Sequence, residues 1–139
     1  MENNGFLNPT DKLVLIVDDE KGIRDMLEII VRKEGFRVEL SGDGDDGLKK
    51  ARTISPDIIL LDLMLPKEGG YEILRELQND ETGGIPIIIM TARILDRTTI
   101  DMFKHETNVR EFIEKPLKQQ VLVSLIHQLL KTRPPIKRQ

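Results

Sequence analysis

The chain contains no cysteine and no tryptophan, one tyrosine, and two histidines, His105 and His127. Disulfides and thiolate metal ligands are therefore excluded, and two imidazoles do not make a zinc site of ordinary composition. Any metal has to be a hard ion held by oxygen. No apolar run approaches the roughly 18 residues of a membrane span. The start, MENNGFLNPTDK, has neither the basic cluster nor the apolar stretch of a secretory signal. A cytoplasmic protein with no membrane partner is the expectation. Positive charge is not in excess either: 24 acids face 21 bases, for a net charge of −3, so no global basic field recruits nucleic acid. What is present is apolar material for one core, in a chain of single-domain size.

That material comes in short runs. Leu13 to Val17, Asp57 to Leu61 and Ile85 to Met90 read as buried parallel strands, with a weaker run at Phe112 and Ile113. Phe36, Val38 and Leu40 alternate as a further strand. Between the first two, Ile23, Met26, Leu27, Ile30 and Val31 recur at helical spacing, and Gly35 follows as a stop. A short helix through Leu48 and Ala51 ends before Pro56, and one through Ile73, Leu74 and Leu77 follows a Pro/Gly loop. Ile94 to Lys104 makes a polar helix and Leu117 to Lys131 a final one. Five strands alternating with five helices predict an α/β doubly wound parallel sheet, whose crevice lies beyond the carboxyl ends of the strands. Residues 1 to about 11 form a flexible segment, residues 12 to 131 the domain, and residues 132 to 139 a basic, proline-containing tail that is expected to be unpacked.

The strand ends carry the chemistry. "LVLIVDDE" closes on Asp18, Asp19 and Glu20; "DIILLD" on Asp62; "PIIIMT" on Thr91; and "REFIEK" on Lys115. Taken singly, Asp18, Asp19 or Thr91 reads as a helix cap, Lys115 as a turn residue and Phe112 as core. Asp62 does not fit such a reading, because an acid after a buried strand costs several kcal/mol unless paired. Taken together, they place carboxylates, a hydroxyl and an ammonium on one rim. Two carboxylates about 4 Å apart repel by about 4 kcal/mol at an effective dielectric of 20, so the cluster needs cations. A hard divalent ion plus Lys115 supplies them, and Mg²⁺ commonly works in this way beside phosphates.

With these residues in order, the sequence resembles the receiver domain of two-component response regulators. "VDDE", "DLMLP" with Gly70 eight residues beyond Asp62, "TA" at Thr91 and Ala92, and "KP" at Lys115 and Pro116 occur in succession. The intervals are 43 residues from Asp19 to Asp62, 29 to Thr91 and 24 to Lys115. The resemblance covers about residues 12 to 131 and implies a flavodoxin-like, CheY-like sheet of order 2-1-3-4-5. It implies that Asp62 accepts a phosphoryl group from a histidine kinase or phosphotransfer protein. Asp19, Asp62 and the Met64 backbone carbonyl would ligate Mg²⁺, with Mn²⁺ as a substitute, and Asp18 would hold the ion through water. Lys115 would pair with the phosphoryl oxygens, Thr91 would hydrogen-bond them, and Phe112 would be the switch aromatic. Such a domain is a phosphoacceptor that assists its own phosphorylation and dephosphorylation and is not otherwise an enzyme.

The sequence also departs from the family pattern. Asn108 and Val109 stand where a Gly-Ala pair is usual; asparagine tolerates left-handed geometry, so the turn is expected to survive. Gly69 stands where an acid is common, and Met64 and Arg93 are positioned to tune dephosphorylation. In the last helix, Val121, Leu122, Leu125 and Leu129 form a stripe suited to the core. Val123, Ile126 and Leu130 widen it, which suggests either deep packing or a partner or dimer surface. A monomer or a phosphorylation-linked dimer is compatible with this.

Three other readings meet obstacles in these residues. A haloacid-dehalogenase-like phosphatase needs an acid two residues after its nucleophile, and Met64 is there instead. A flavin site needs a Ser/Thr-rich phosphate loop where "DDEKG" stands. A phosphorylation-independent adaptor would have a degraded acidic pocket, and this one is complete. The segment "RPPIKRQ" brings no output module, so a stand-alone or isolated receiver acting on an unidentified protein target is expected.

Overall fold

The computed structural model describes residues 5–65, 69–79, 81–92, 95–105 and 108–135. Five parallel strands, β1 (Leu13–Val17), β2 (Arg37–Ser41), β3 (Ile58–Asp62), β4 (Ile87–Thr91) and β5 (Val109–Glu114), stand in the order β2-β1-β3-β4-β5. Between and after them run α1 (Lys21–Lys33), α2 (Gly44–Ile54), α3 (Gly69–Glu76), α4 (Arg97–Lys104) and α5 (Gln119–Leu130). The expected doubly wound fold and its strand order are both present.

The central strands are continuously apolar because both of their faces are covered. Val14, Ile16, Ile58, Leu60, Ile88 and Met90 pack with α1 and α5, while Leu15, Val17, Ile59, Leu61, Ile87 and Ile89 pack with the α2, α3 and α4 side. Side chains alternate faces along a strand, so two cores require apolar residues at every position.

Several boundaries shift. The third strand begins at Ile58, after Asp57, whose carboxylate accepts the Leu13 N–H at 2.8 Å, and it runs on to include Asp62. The fourth begins at Ile87, because Ile85 is held in a turn by its N–H to the Thr82 carbonyl at 3.0 Å. The fourth helix begins at Arg97, where the Asp96 carboxylate caps the Thr99 N–H at 2.7 Å; Ile94 lies outside the described residues. Gly35 ends α1 as expected, at a φ of +99° that favours glycine.

The stripe expected on the last helix is turned. Leu122, Ile126 and Leu130, at four-residue spacing, are buried with His127; Leu125 and Leu129 flank them, and Val121 is 46% exposed. Around His127 the segment before β1 meets the segment after α5. Its Nδ1 lies 2.7 Å from Thr132 Oγ1 and its Nε2 2.8 Å from Glu34 Oε1. Leu7 forms a parallel bridge with Thr132, donating its N–H to the Lys131 carbonyl at 2.8 Å. The Arg133 guanidinium sits over the Phe6 ring at 4.6 Å. Residues on both sides of the domain, expected to be unpacked, thus hold one another.

Asn108 differs from its expected role. Among the described residues the non-glycine positive-φ positions are Ser55 and Lys131, so Asn108 is not in a left-handed turn. Its side chain is buried and serves as a polar tie. Gln78 Nε2 donates to its Oδ1 in a short hydrogen bond, and its Nδ2 donates to the Thr82 carbonyl at 3.4 Å. Its backbone carbonyl accepts the Ile87 N–H at 2.7 Å, just before the register shift that pairs Ile88 with Glu111. A glycine would lack every side-chain contact in this tie.

Candidate functional site

The parallel register carries the sequence signals to one rim. Val17 pairs with Leu61 and Asp62 with Met90, so the residues after β1, the end of β3 and the end of β4 converge. Thr91 is buried, pairs with Glu114, and accepts the Lys115 N–H through its carbonyl at 2.8 Å. That bond brings the residue after β5 beside the others.

Asp18 is fully buried and its oxygens are engaged. Oδ1 accepts the Glu20 N–H at 3.0 Å, and Oδ2 accepts Lys115 Nζ at 2.8 Å. It therefore both closes the turn that leads into α1 and pairs with a cation. Asp62, also buried, takes the Met64 N–H on Oδ1 at 2.9 Å and faces Lys115 Nζ from Oδ2 at 3.4 Å. Asp19 is exposed and has no hydrogen bond or ion pair among the described residues. One carboxylate oxygen from each of Asp18, Asp19 and Asp62 lies within 4.8 Å of the others. Three convergent oxygens with no sulfur or imidazole among them fit a hard cation such as Mg²⁺.

Burial lifts the Asp62 carboxyl above the ordinary carboxylate range. The Met64 N–H opposes the rise, the Asp18 charge adds to it, and Lys115 opposes it again. Burial pulls the Lys115 ammonium down, but its hydrogen bond to Asp18 and the charge of Asp62 outweigh this, and its pKa stands above the usual lysine value. Lys115 is therefore charged at neutral pH and offsets part of the repulsion that would otherwise keep the acids apart.

Gly70 owes its place eight residues beyond Asp62 to close packing. A Cβ there would lie 2.5 Å from the Asp62 carbonyl oxygen and from Leu63 Cα, and the Gly70 N–H donates to the Leu63 carbonyl at 3.0 Å. Only glycine lets α3 start directly against the acid-bearing loop. Met64 is 48% exposed at the mouth of the pocket, and Arg93 lies outside the described residues. Phe112 is half-buried, 5.7 Å by ring centroid from Phe103 of α4, which in turn meets Tyr71 of α3 edge-on at 5.3 Å. Beside it a depression of about 490 Å³ is bordered by Phe112, Lys115, Lys118 and Val121.

Sequence reasoning missed Arg24. Its Nη1 donates to the Asp18 carbonyl at 2.8 Å. No motif marks it, since an arginine between Ile23 and Met26 reads simply as a helix-surface charge.

A family model for the response regulator receiver domain matches residues 14–127. The DNA-binding response regulator MtrA of Mycolicibacterium paratuberculosis is 37% identical over 119 residues, which is 85% of this chain and 51% of that protein. The chain thus spans about half the length of the curated relatives it matches. A CheY-like receiver domain protein from Methanospirillum hungatei has a crystal structure that matches with a TM-score of 0.77 at 28% identity, covering 86% of this chain and 93% of that one. The receiver domain of a sensor histidine kinase from Pseudomonas aeruginosa, crystallised with a magnesium ion coordinated in its active site cleft, matches with a TM-score of 0.75 at 27% identity, covering 86% and 97%.

Proposed function

Because this chain belongs to the response regulator receiver domain family, we propose that it is a phosphorylation-dependent signalling switch in which Asp62 is the phosphoacceptor. The observation that carries the reading is the convergence of Asp18, Asp19 and Asp62 oxygens within 4.8 Å of one another, with Lys115 bridging two of them. A carboxylate oxygen of Asp62 attacks the phosphorus of a phosphohistidine on a kinase or phosphotransfer protein. The P–N bond breaks, its electron pair returns to the imidazole, and an acyl phosphate forms on Asp62. Asp19, Asp62 and the Met64 carbonyl would hold Mg²⁺, with Asp18 reaching it through water, and the bound ion would supply positive charge to the phosphoryl oxygens.

The chain's own groups do the rest. Asp62 is ionised when it attacks, so no general base is required. Lys115, already poised at Asp62 Oδ2, moves its ammonium onto a phosphoryl oxygen. The Thr91 hydroxyl donates to another. Replacing a carboxylate by a group of roughly −2 charge draws the Thr91 and Lys115 segments inward. Phe112 then turns toward the space Thr91 leaves and changes the face formed by α4, β5 and α5, to which a partner protein binds. Met64 and Arg93 set how freely water reaches the acyl phosphate. The switch acts in the cytoplasm; among the described residues no helix is long and apolar enough to cross a membrane.

The test is Mg²⁺-dependent labelling by a small phosphodonor, read by intact mass. A single adduct of phosphate mass is expected, lost with EDTA and lost in Asp62→Asn. Full labelling of Asp62→Asn refutes the assignment.

A further inference from the structure

We propose that Arg24 is a positioning residue of the acidic pocket, acting through the Asp18–Asp19 peptide to aim Asp19. The proposal rests on the reading of Asp19 as an oxygen donor to a divalent cation. Asp18 and Asp62 are held through their side chains, by Lys115 and by backbone N–H groups. Asp19 has no such restraint: its carboxylate is exposed and unbonded among the described residues. Among the described contacts, only the position of its backbone restrains where that carboxylate can reach.

The backbone at that place is held on both sides. The Asp18 N–H donates to the Ser41 carbonyl at 3.1 Å, and the Asp18 carbonyl accepts Arg24 Nη1 at 2.8 Å. A peptide unit is planar, so fixing the carbonyl of residue 18 fixes the direction in which Asp19 leaves it. The guanidinium is itself located by two features. Arg24 stands in the first turn of α1, its N–H donating to the Glu20 carbonyl at 2.9 Å. It also lies against Gly42, where a Cβ would come within 3.2 Å of Nη1. One planar, permanently charged group thus ties together the end of β1, the start of α1 and the loop after β2.

Arg32 provides a matched control on the same helix. Its Nη2 donates to a β2 carbonyl, that of Val38, at 3.1 Å, and its Nε to Glu28 at 2.9 Å, and neither bond reaches Asp18, Asp19, Asp62 or Lys115. The experiment is a calorimetric Mg²⁺ titration of wild type, Arg24→Met, Arg24→Lys and Arg32→Met, with a thermal melt of each. Arg24→Met weakens Mg²⁺ binding about tenfold or more, the size typical of residues that orient metal ligands. Arg24→Lys keeps the charge and the stem and gives a smaller loss. Arg32→Met keeps the wild-type Mg²⁺ constant whatever its melting temperature. With Arg24→Met, the phosphorylation rate recovers at saturating Mg²⁺. Wild-type Mg²⁺ constants in both Arg24 variants overturn the proposal, as does a loss in Arg32→Met equal to that in Arg24→Met. If Arg24→Met does not fold, the Arg24→Lys constant against Arg32→Met decides. Failure of the wild-type protein to bind Mg²⁺ strikes at the reading of the pocket itself.

Discussion

Lys115 Nζ lies 2.8 Å from Asp18 Oδ2, joining two residues 97 positions apart in the chain, the acid fully buried and the lysine side chain 11% exposed. The same ammonium reaches Asp62 at 3.4 Å, so one cation serves two buried acids. Removing one partner of a buried pair leaves an uncompensated charge, which costs about 3–5 kcal/mol. Lys115→Met is therefore expected to lose stability of that order in urea unfolding with EDTA, and to regain part of it when Mg²⁺ is added.

The Lys115 pKa also predicts an alkaline limb. It is raised in the folded protein despite burial, because the bond to Asp18 and the charge of Asp62 favour the ammonium. Stability from a raised lysine is fully present below its unfolded value, 10.5, and is lost as pH climbs through the higher folded value. Wild type should lose stability in that window, and Lys115→Met should lack that component. A pH series of thermal melts above pH 9 reads the difference.

For Asp62 the consequence runs the other way at neutral pH. Its carboxyl is raised chiefly by burial, so the folded state holds that proton more tightly than the unfolded chain, and metal-free stability falls as pH rises through the carboxylate range. Asp62→Asn removes the charge at similar shape. In EDTA at pH 7 it should melt a few degrees above wild type, with a flatter pH profile, while losing the phosphate adduct.

Phosphorylation should be visible in Tyr71, the single tyrosine of a chain without tryptophan. Tyr71 contacts Phe103, and Phe103 contacts Phe112. If Phe112 turns inward on phosphorylation, Phe103 loses a neighbour and the surroundings of Tyr71 change. Tyrosine emission should shift with phosphodonor in wild type. In Phe112→Ala the shift should be absent while the mass adduct remains.

Asn108 separates stability from signalling chemistry. Asn108→Leu removes one partner of the Gln78 amide and the amide that donates to the buried Thr82 carbonyl, costing about 1–3 kcal/mol. Asn108 precedes β5, at the end of the strands away from the acids, so the Mg²⁺-dependent labelling rate should stay within about twofold of wild type. Chemical denaturation and timed intact-mass measurements check the two halves.

The fold was legible because burial on both faces leaves a local signature. Leu13 to Val17 is apolar at every position, and the observed β1 has the expected bounds. Asp62 stood out for the related reason that an acid at the end of such a strand has to be compensated. Less legible were features whose cause is a neighbour distant in sequence. The buried stripe of α5 runs through Leu122, Ile126 and Leu130, one position round from the expected centre, because the facing helix and sheet choose the face and the helix is apolar nearly all round. Asn108 read as a turn residue because local propensity speaks to φ and not to what its amide meets.

By itself, the sequence determined the alternation of strands and helices and the residue types at the strand ends, since strand and helix periods and the placement of glycine are local matters. It also made oxygen the expected donor for any metal, because there is no cysteine and there are only two histidines. Tertiary structure alone decided that Lys115 pairs with Asp18 more closely than with Asp62, that His127 ties Glu34 to Thr132, and that Arg24 holds the peptide between the two leading acids. Each of these is a contact between groups whose separation along the chain, or whose side-chain direction, carries no local pattern. Only the closing of the sheet and the docking of α1 and α5 upon it bring them within hydrogen-bond reach.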